Sequence, residues 1–130
     1  MIRVCHYCTV IPLSGKEIKD DGSIDLDFIP ELLFVCVTAS WCGHCKRLKP
    51  VMAKLANVID VGNIEDDKEF YARSSAYETT PFRNKYNKQT IVRGYPTIVL
   101  YKNGMFHNGY SGQREFGAMY EWATETLNKY

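Results

Sequence analysis

Apolar residues follow two different spacings around position 40 of this chain. From Leu32 to Thr38 they form a nearly continuous run, which is typical of a central strand buried on both faces. From Cys42 onward they recur every three or four residues, which predicts a helix with one apolar face. The apolar positions are Leu48, Val51, Met52, Leu55, Ala56 and Ile59, and the other face carries Lys46, Arg47, Lys49 and Lys54. A buried strand therefore ends, and a helix begins, close to Cys42.

The rest of the chain alternates strands and helices in the same way. The first 13 residues, and those from Val58 to Ile64, favour strands, whereas the polar stretch from Asp66 to Asn87 favours partly helical structure with a break near Pro81. Further strands are predicted at Thr97 to Tyr101 and Met105 to Tyr110, joined by the Asn103-Gly104 turn, and a last helix from about Arg114 to Asn128. This alternation predicts an α/β class with a central mixed β-sheet flanked by helices.

Composition narrows the class of protein. At 130 residues, of which 45% are hydrophobic, the chain fits one domain, residues 1–130. Sixteen basic against fifteen acidic residues give a net charge of +1, so neither nucleic acid nor an anionic membrane is an expected partner. The N-terminal residues lack the apolar core of a secretory signal, and no apolar run is long enough to span a bilayer. We therefore expect a soluble, cytoplasmic chain without a cofactor.

The candidate chemistry lies in Trp41-Cys42-Gly43-His44-Cys45, at the junction of strand and helix. There the Cys42 sulfur should meet unpaired backbone N–H groups and the positive end of the helix dipole, both of which stabilise a thiolate. Cys45 follows one turn later, within reach of a disulfide and shielded by Cys42. Gly43 is expected to permit this close approach, and a protonated His44 to stabilise the thiolate. The spacing predicts a redox pair in which Cys42 is the nucleophile and Cys45 the resolving thiol.

Cys5 and Cys8 repeat the same spacing near the N-terminus but have no helix start behind them. Residues three apart in a strand point to opposite faces, so we expect their sulfurs to lie apart as structural thiols, unless a turn brings them together. Two alternatives remain: an auxiliary redox pair and half of an intermolecular zinc site. A metal-thiolate centre built from both cysteine pairs is a further, weaker alternative. His107 is expected to be exposed and not to be a ligand.

Several motifs together resemble the thioredoxin superfamily, and specifically the catalytic domains of protein disulfide isomerases. They are Trp41 to Lys46, Pro50, Arg93-Gly94-Tyr95-Pro96-Thr97 and Asn103-Gly104. The resemblance runs from about Leu32 to the C-terminus and weakens over Val61 to Thr90. The connection there is longer than the family usually needs, which indicates an insertion or elongated connection within 61–90.

The resemblance implies a thioredoxin-like fold and a thiol–disulfide oxidoreductase that forms, isomerises or reduces disulfides in proteins and peptides. Pro96 matches the family's cis-proline, and Tyr95 would offer its backbone to a substrate peptide. Trp41 matches the aromatic residue beside the nucleophile. Arg114 resembles an isomerase arginine that lowers the pKa of the buried cysteine. The alternative interpretation, a solvated arginine at the start of the last helix, fits the sequence equally well.

Cys36 departs from the family pattern. The family carries a buried carboxylate six residues before the first active-site cysteine, which passes a proton to or from the buried one; Cys36 stands at that position. A buried thiol stays neutral and cannot replace a carboxylate. The family's lysine partner on the next strand is missing too, since no lysine lies between Lys54 and Lys68. A second hypothesis is therefore a slow or non-catalytic module that binds unfolded or thiol-bearing protein.

The expected direction of the reaction rests on His44. Proline in this position goes with reducing thioredoxins, at roughly −270 mV, and histidine with isomerases at about −180 mV. An oxidising or isomerising site conflicts with a cytoplasmic location, where glutathione keeps such thiols reduced. A dedicated thiol oxidase as partner would ease the conflict, as in the cytoplasmic assembly of some large viruses, and a virus-encoded origin is compatible with that. A reductase is the other candidate partner.

Overall fold

The computed structural model describes residues 3–14, 16–19, 22–66 and 94–129. Their strands and helices follow in the order β1 (Val10–Leu13), β2 (Leu32–Ala39), α1 (Gly43–Leu55), β3 (Asp60–Asp66), β4 (Thr97–Lys102), β5 (Met105–Gly109) and α2 (Phe116–Lys129). Residues 61–66 belong to β3. The remainder of the 61–90 connection, including nearly all of the polar stretch to Asn87 and its expected break near Pro81, lies outside the described residues.

The predicted mixed sheet is confirmed, with strand order β1-β3-β2-β4-β5. β3 runs parallel to both β1 and β2, whereas β4 is antiparallel to β2 and β5 to β4. All residues of β2 are buried, as its apolar run predicted. The central strand thus carries the chain through the core and delivers Cys42 just beyond its C-terminal end.

Two apolar clusters cover the two faces of the sheet. One contains alternate residues of β2 together with the apolar faces of α1 and α2, including Phe34, Cys36, Leu48, Met52 and Met119. Lys54 of α1 also places its ammonium 4.7 Å from the centre of the Phe116 ring of α2. The second cluster contains the other β2 residues and the loop residues Ile18 and Ile24. In the described part of the chain, both helices therefore lie on the face that contains Cys36.

The predicted hairpin between β4 and β5 is confirmed. Its two-residue turn has positive φ angles at Asn103 (51°) and Gly104 (82°), which suits the right-handed twist of the flanking strands. The turn lies at the N-terminal end of β2, because Leu32 pairs with Lys102. None of the helices in the described ranges has the length and apolar character needed to cross a bilayer.

The expected first strand is shorter than predicted, and the expectation that Cys5 and Cys8 lie apart was wrong. Only Val10–Leu13 forms a strand; before it the chain turns, with Cys8 at a φ of 57°, and the two sulfurs form a disulfide. The buried carboxylate of Asp60 accepts the backbone N–H groups of His6 (2.8 Å) and Tyr7 (2.7 Å). These two bonds hold the segment in a turn instead of the extended backbone of a strand.

Candidate active site

Cys42 is the N-cap residue of α1. Its backbone is extended (φ −89°, ψ 118°), and its Sγ accepts the backbone N–H of Cys45 at 3.2 Å, as N-cap side chains do. The Sγ also lies 3.6 Å from the Tyr95 carbonyl oxygen, to which the thiol can donate. Cys42 and Cys45 are both in the free thiol form. The predicted junction of buried strand and helix therefore places Cys42 at the positive end of α1.

The surroundings of Cys42 favour its thiolate. Burial raises its pKa, but hydrogen bonds from the Cys45 thiol and from the backbone N–H groups of Cys45 and His44, together with the Arg114 charge, outweigh burial and hold the pKa of Cys42 below its ordinary value. These donors lie in the first turn of the helix, where backbone N–H groups have no partner within the helix. Of the two thiols, Cys42 is thus the one with the more stable thiolate.

The Cys45 environment has the opposite effect. The pKa of Cys45 is raised to about 11 by burial, by the hydrogen bond that its thiol donates to Cys42 and by the charge of Cys42. The Ala39 backbone N–H and Arg114 lower this pKa, but by less. Cys45 is 1% exposed, compared with 5% for Cys42, so Cys45 is the more deeply buried of the two. The pKa of one thiol is therefore lowered and that of the other raised, and both sulfurs are buried.

His44 and Gly43 lie between the two cysteines, at the start of α1. Arg47 Nη2 lies 2.6 Å from His44 Nδ1, and since a guanidinium only donates, Nδ1 is the acceptor in this contact. His44 acts on Cys42 through its backbone N–H instead. Gly43 is not required by space, because an added Cβ would meet only the Arg47 Nη1 atom at 3.9 Å.

Trp41 and the loop before β4 frame the pair. The Trp41 ring is 73% exposed and meets the Tyr95 ring edge to face, with centroids 5.6 Å apart. The Tyr95–Pro96 peptide bond is cis, and Tyr95 packs against Cys42 and Cys45. Arg114 is exposed and lies just before α2, where its charge lowers the pKa of both active-site cysteines. The structure therefore gathers the predicted residues around the Cys42 sulfur.

Cys36 lies behind the pair. It is 0% exposed, and burial, followed by the charge of Cys45, raises its pKa to about 12, so that it is a neutral thiol as predicted from the sequence. The β3 residue paired with Cys36 is Asn63, and β3 contains no lysine. A carboxylate and its lysine partner are thus both absent from these two paired positions.

A polar pair beside Cys36 was missed by sequence reasoning. Asn63 Nδ2 donates to the Cys36 carbonyl oxygen (3.3 Å) and to Thr38 Oγ1 (3.0 Å). Thr38 is 1% exposed, so these bonds satisfy polar groups that would otherwise be unpaired in the core. The available signal was an asparagine within a predicted strand. The hydrogen bond from the Ala39 backbone N–H to Cys45 could not be predicted from the sequence, because every residue except proline has a backbone N–H.

The four-cysteine metal centre predicted as an alternative was wrong. Cys5 and Cys8 are bonded to each other near Asn57, just beyond the C-terminal end of α1, whereas Cys42 caps its N-terminal end. The 13 residues of this helix separate the two pairs by about 20 Å. No cluster of three or more potential metal ligands exists among the described residues. His107 is half-buried in β5 instead of exposed, and burial, then Lys102, lowers its pKa.

The described residues therefore place a Cys-x-x-Cys pair at the start of a helix that packs on a mixed sheet. The thioredoxin family model matches residues 27–125, and the chain belongs to that family. It has the same fold as a solved thioredoxin mutant from Halobacterium salinarum, with 26% identity, a TM-score of 0.63 and coverage of 91% of this chain and 90% of that one.

Several curated relatives are named as protein disulfide isomerases or isomerase-like proteins. The chain is 34% identical to protein disulfide isomerase-like 5-3 of rice over 120 residues, which covers 85% of this chain and 25% of the rice protein. It is 31% identical to protein disulfide-isomerase of Saccharomyces cerevisiae over 122 residues, which covers 90% of this chain and 20% of the yeast protein. The chain thus spans a quarter or less of the length of these two relatives and belongs, at family level, with the thiol–disulfide oxidoreductases.

Proposed function

We propose that this protein exchanges disulfides with protein or peptide thiols through Cys42 and Cys45. The observation that carries the proposal is the contrast within the pair: hydrogen bonds and a nearby arginine lower the pKa of Cys42, while burial and Cys42 raise that of Cys45 to about 11. A pair with equal thiols would lack both a ready nucleophile and a protected resolving group.

In the reductive direction, the Cys42 thiolate attacks one sulfur of a substrate disulfide. The substrate S–S bond breaks, its second sulfur leaves as a thiolate and takes a proton from water, and a mixed disulfide forms at Cys42. Cys45 then loses its proton and attacks Cys42 Sγ, which releases the first substrate sulfur and forms the Cys42–Cys45 disulfide. The substrate gains two electrons and the pair loses two; the oxidative direction is the reverse.

Substrate contact falls to the loop around the pair. The exposed Trp41 ring and the Tyr95–Pro96 segment border the Cys42 sulfur, and an extended peptide laid along this segment would pair by its main chain, with little sequence preference. The thiolate-stabilising contacts of Cys42 favour the reduced pair and hence an oxidising or isomerising site. A thiol oxidase or a reductase would then renew the pair, in a cytoplasmic setting.

Equilibration in glutathione buffers tests the direction. We expect a reduction potential nearer to the isomerases, at about −180 mV, than to thioredoxin, at roughly −270 mV. Cys42→Ser should abolish disulfide exchange, and Cys45→Ser should trap substrate as a mixed disulfide. A thioredoxin-like potential would leave a general reductase, and undiminished exchange by Cys42→Ser would overturn the proposed nucleophile.

The second candidate, a binding module with slow turnover, is favoured by Cys36. Its position holds a neutral thiol, so Cys45 lacks the buried carboxylate that would take its proton during resolution. Cys36→Asp distinguishes the two functions. If it raises turnover strongly while Cys45→Ser already traps substrate well with Cys36 present, the chain has given up catalysis for binding; an unchanged or lower turnover favours the enzyme.

A further inference from the structure

The Cys5–Cys8 disulfide has the same Cys-x-x-Cys spacing as the active-site pair. In Cys42–Cys45, the backbone N–H groups of His44 and Cys45 point at the Cys42 sulfur. In Cys5–Cys8, the N–H groups of the two intervening residues, His6 and Tyr7, donate to the carboxylate of Asp60 instead. The same spacing therefore carries opposite electrostatic surroundings.

Among the described residues, the polar groups beside the N-terminal sulfurs are carbonyl oxygens and not N–H groups. Cys5 Sγ is 3.3 Å from the Asn57 carbonyl oxygen, and Cys8 Sγ is 3.4 Å from that of Cys5. After reduction each thiol could donate to the oxygen already beside it, whereas a thiolate would face a carbonyl dipole near the buried Asp60 charge. The surroundings of Cys42 therefore stabilise the reduced form of its pair, whereas those of Cys5 and Cys8 disfavour a thiolate in the reduced N-terminal pair. Electrons should thus pass from the Cys5/Cys8 dithiol to the Cys42–Cys45 disulfide.

The transfer must occur between two molecules. Cys5 lies beyond the C-terminal end of α1 and Cys42 at its N-terminal end, about 20 Å away for a 13-residue helix. Sulfurs must come into contact to exchange, so the two pairs of one chain cannot react with each other. Cys5 and Cys8 are only half-buried, and His6 between them is exposed, so another molecule can reach this loop.

We propose that the Cys5/Cys8 dithiol is a substrate of the Cys42–Cys45 disulfide of a second copy of this chain; the inference rests on the proposed function. A thiolate of the N-terminal pair attacks Cys42 Sγ of the other copy, breaks the Cys42–Cys45 bond and releases the Cys45 thiolate. The second N-terminal thiolate then attacks the mixed disulfide, closes Cys5–Cys8 and releases the Cys42 thiolate. Two electrons pass between the copies, and the two protons lost by one dithiol balance the two gained by the other.

Two complementary variants test this transfer. The donor is the Cys5→Ser/Cys8→Ser chain, oxidised at Cys42–Cys45, and the acceptor is the reduced Cys42→Ser/Cys45→Ser chain, both checked for folding by circular dichroism. Cys42→Ala/Cys45→Ala replaces the acceptor if the serine variant does not fold. After anaerobic mixing, acid quenching and alkylation, mass spectrometry counts the free thiols of each chain. A donor that also lacks Cys42 and Cys45 measures background oxidation, and a dithiol peptide reports the proposed function separately.

We expect the acceptor to become oxidised at a rate proportional to donor concentration, with an equilibrium at least about tenfold in favour of the Cys5–Cys8 disulfide. If the donor oxidises the peptide while the acceptor stays reduced, or the equilibrium falls below tenfold, the inference is overturned and the proposed function stands. If the donor oxidises neither, the proposed function falls and this inference with it.

Discussion

At the scale of single residues, the backbone N–H of His44 contributes more to the site than the imidazole on which sequence reasoning relied. The ring contacts Arg47, while the N–H lowers the pKa of Cys42. Substitutions at position 44 can separate the two groups, because alanine keeps the N–H and proline removes it. Proline is also tolerated in the first turn of a helix.

We expect His44→Pro to raise the pKa of Cys42 by about one unit or more, since a hydrogen bond to a charged group is worth roughly 1.5–3 kcal/mol. His44→Ala should change it clearly less. The measurement is the pH dependence of Cys42 alkylation in a Cys5→Ser/Cys8→Ser background, which removes the other accessible sulfurs. Equal shifts in the two variants would show that the ring, and not the N–H, stabilises the thiolate.

Cys36, in the buried strand β2, should make the free energy of unfolding depend on pH in the alkaline range. Its pKa is raised by burial from 9.0 to about 12, so the folded chain holds this proton where the unfolded chain has lost it. The resulting stability is complete below pH 9 and is lost as the pH rises from 9 to about 12.

Cys36→Ala should therefore be less stable at pH 7, by about 1 kcal/mol for the lost packing. It should gain stability relative to the parent chain above pH 9, by up to roughly 4 kcal/mol as the pH approaches about 12, where the parent thiol also titrates in the folded state. Urea unfolding in the presence of reductant, at a series of pH values, gives both free energies. A difference between the two chains that does not vary with pH would contradict the buried, neutral thiol.

At the scale of secondary-structure elements, the parts predicted well are those with a signal in neighbouring residues. The continuous run of β2, the three-and-four spacing of α1 and the Asn103-Gly104 turn each specify their structure within a few residues. The position of Cys42 followed, because it depends only on where β2 stops and α1 begins. The same reasoning overextended the first strand, since nothing near Cys5 marks the turn.

The hairpin provides a test of this local control. Gly104 has a φ of +82°, and a Cβ there would come within 2.9 Å of Ile29 Cγ2, whereas a Cβ on Gly117 in α2 would meet nothing within 4 Å. We expect Gly104→Ala to lower the free energy of unfolding by about 1–2 kcal/mol, from strain and contact together. Gly117→Ala should raise it by about 0.5 kcal/mol. Equal effects in urea unfolding would contradict the requirement for glycine in the turn.

At the scale of the whole molecule, the features that sequence reasoning could not reach depend on residues far apart in the chain. The Cys5–Cys8 turn is held by Asp60, more than 50 positions away, and Asn63 of β3 meets Thr38 of β2 only after the sheet has formed. Their geometry is a product of the fold and leaves no local periodicity. The position of the active-site pair depends on a single junction, that of β2 and α1, and was predicted from the sequence. The groups that shift the pKa values of the pair were predicted only in part.

Asp60 also joins the N-terminal segment to the core. Its side chain is 0% exposed and accepts two backbone N–H groups at 2.7 and 2.8 Å, so it fixes the approach of the chain to β1, which pairs with β3. Asp60→Asn replaces one accepting oxygen by an amide that cannot accept, and removes the charge from both bonds. We expect a loss of about 3 kcal/mol in the free energy of unfolding.

Amide hydrogen exchange of Val10–Leu13 should accelerate in Asp60→Asn more than exchange in β4, because the loss begins where the N-terminal segment meets the sheet. Asp25→Asn is the matched control, since Asp25 is exposed and the same change should shift stability by less than about 0.5 kcal/mol. If both variants lost the same small free energy, or if β1 and β4 exchanged alike, the carboxylate would not be what holds this segment. The Cys5–Cys8 turn would then depend on the disulfide itself, and reducing it in the unsubstituted chain should release β1.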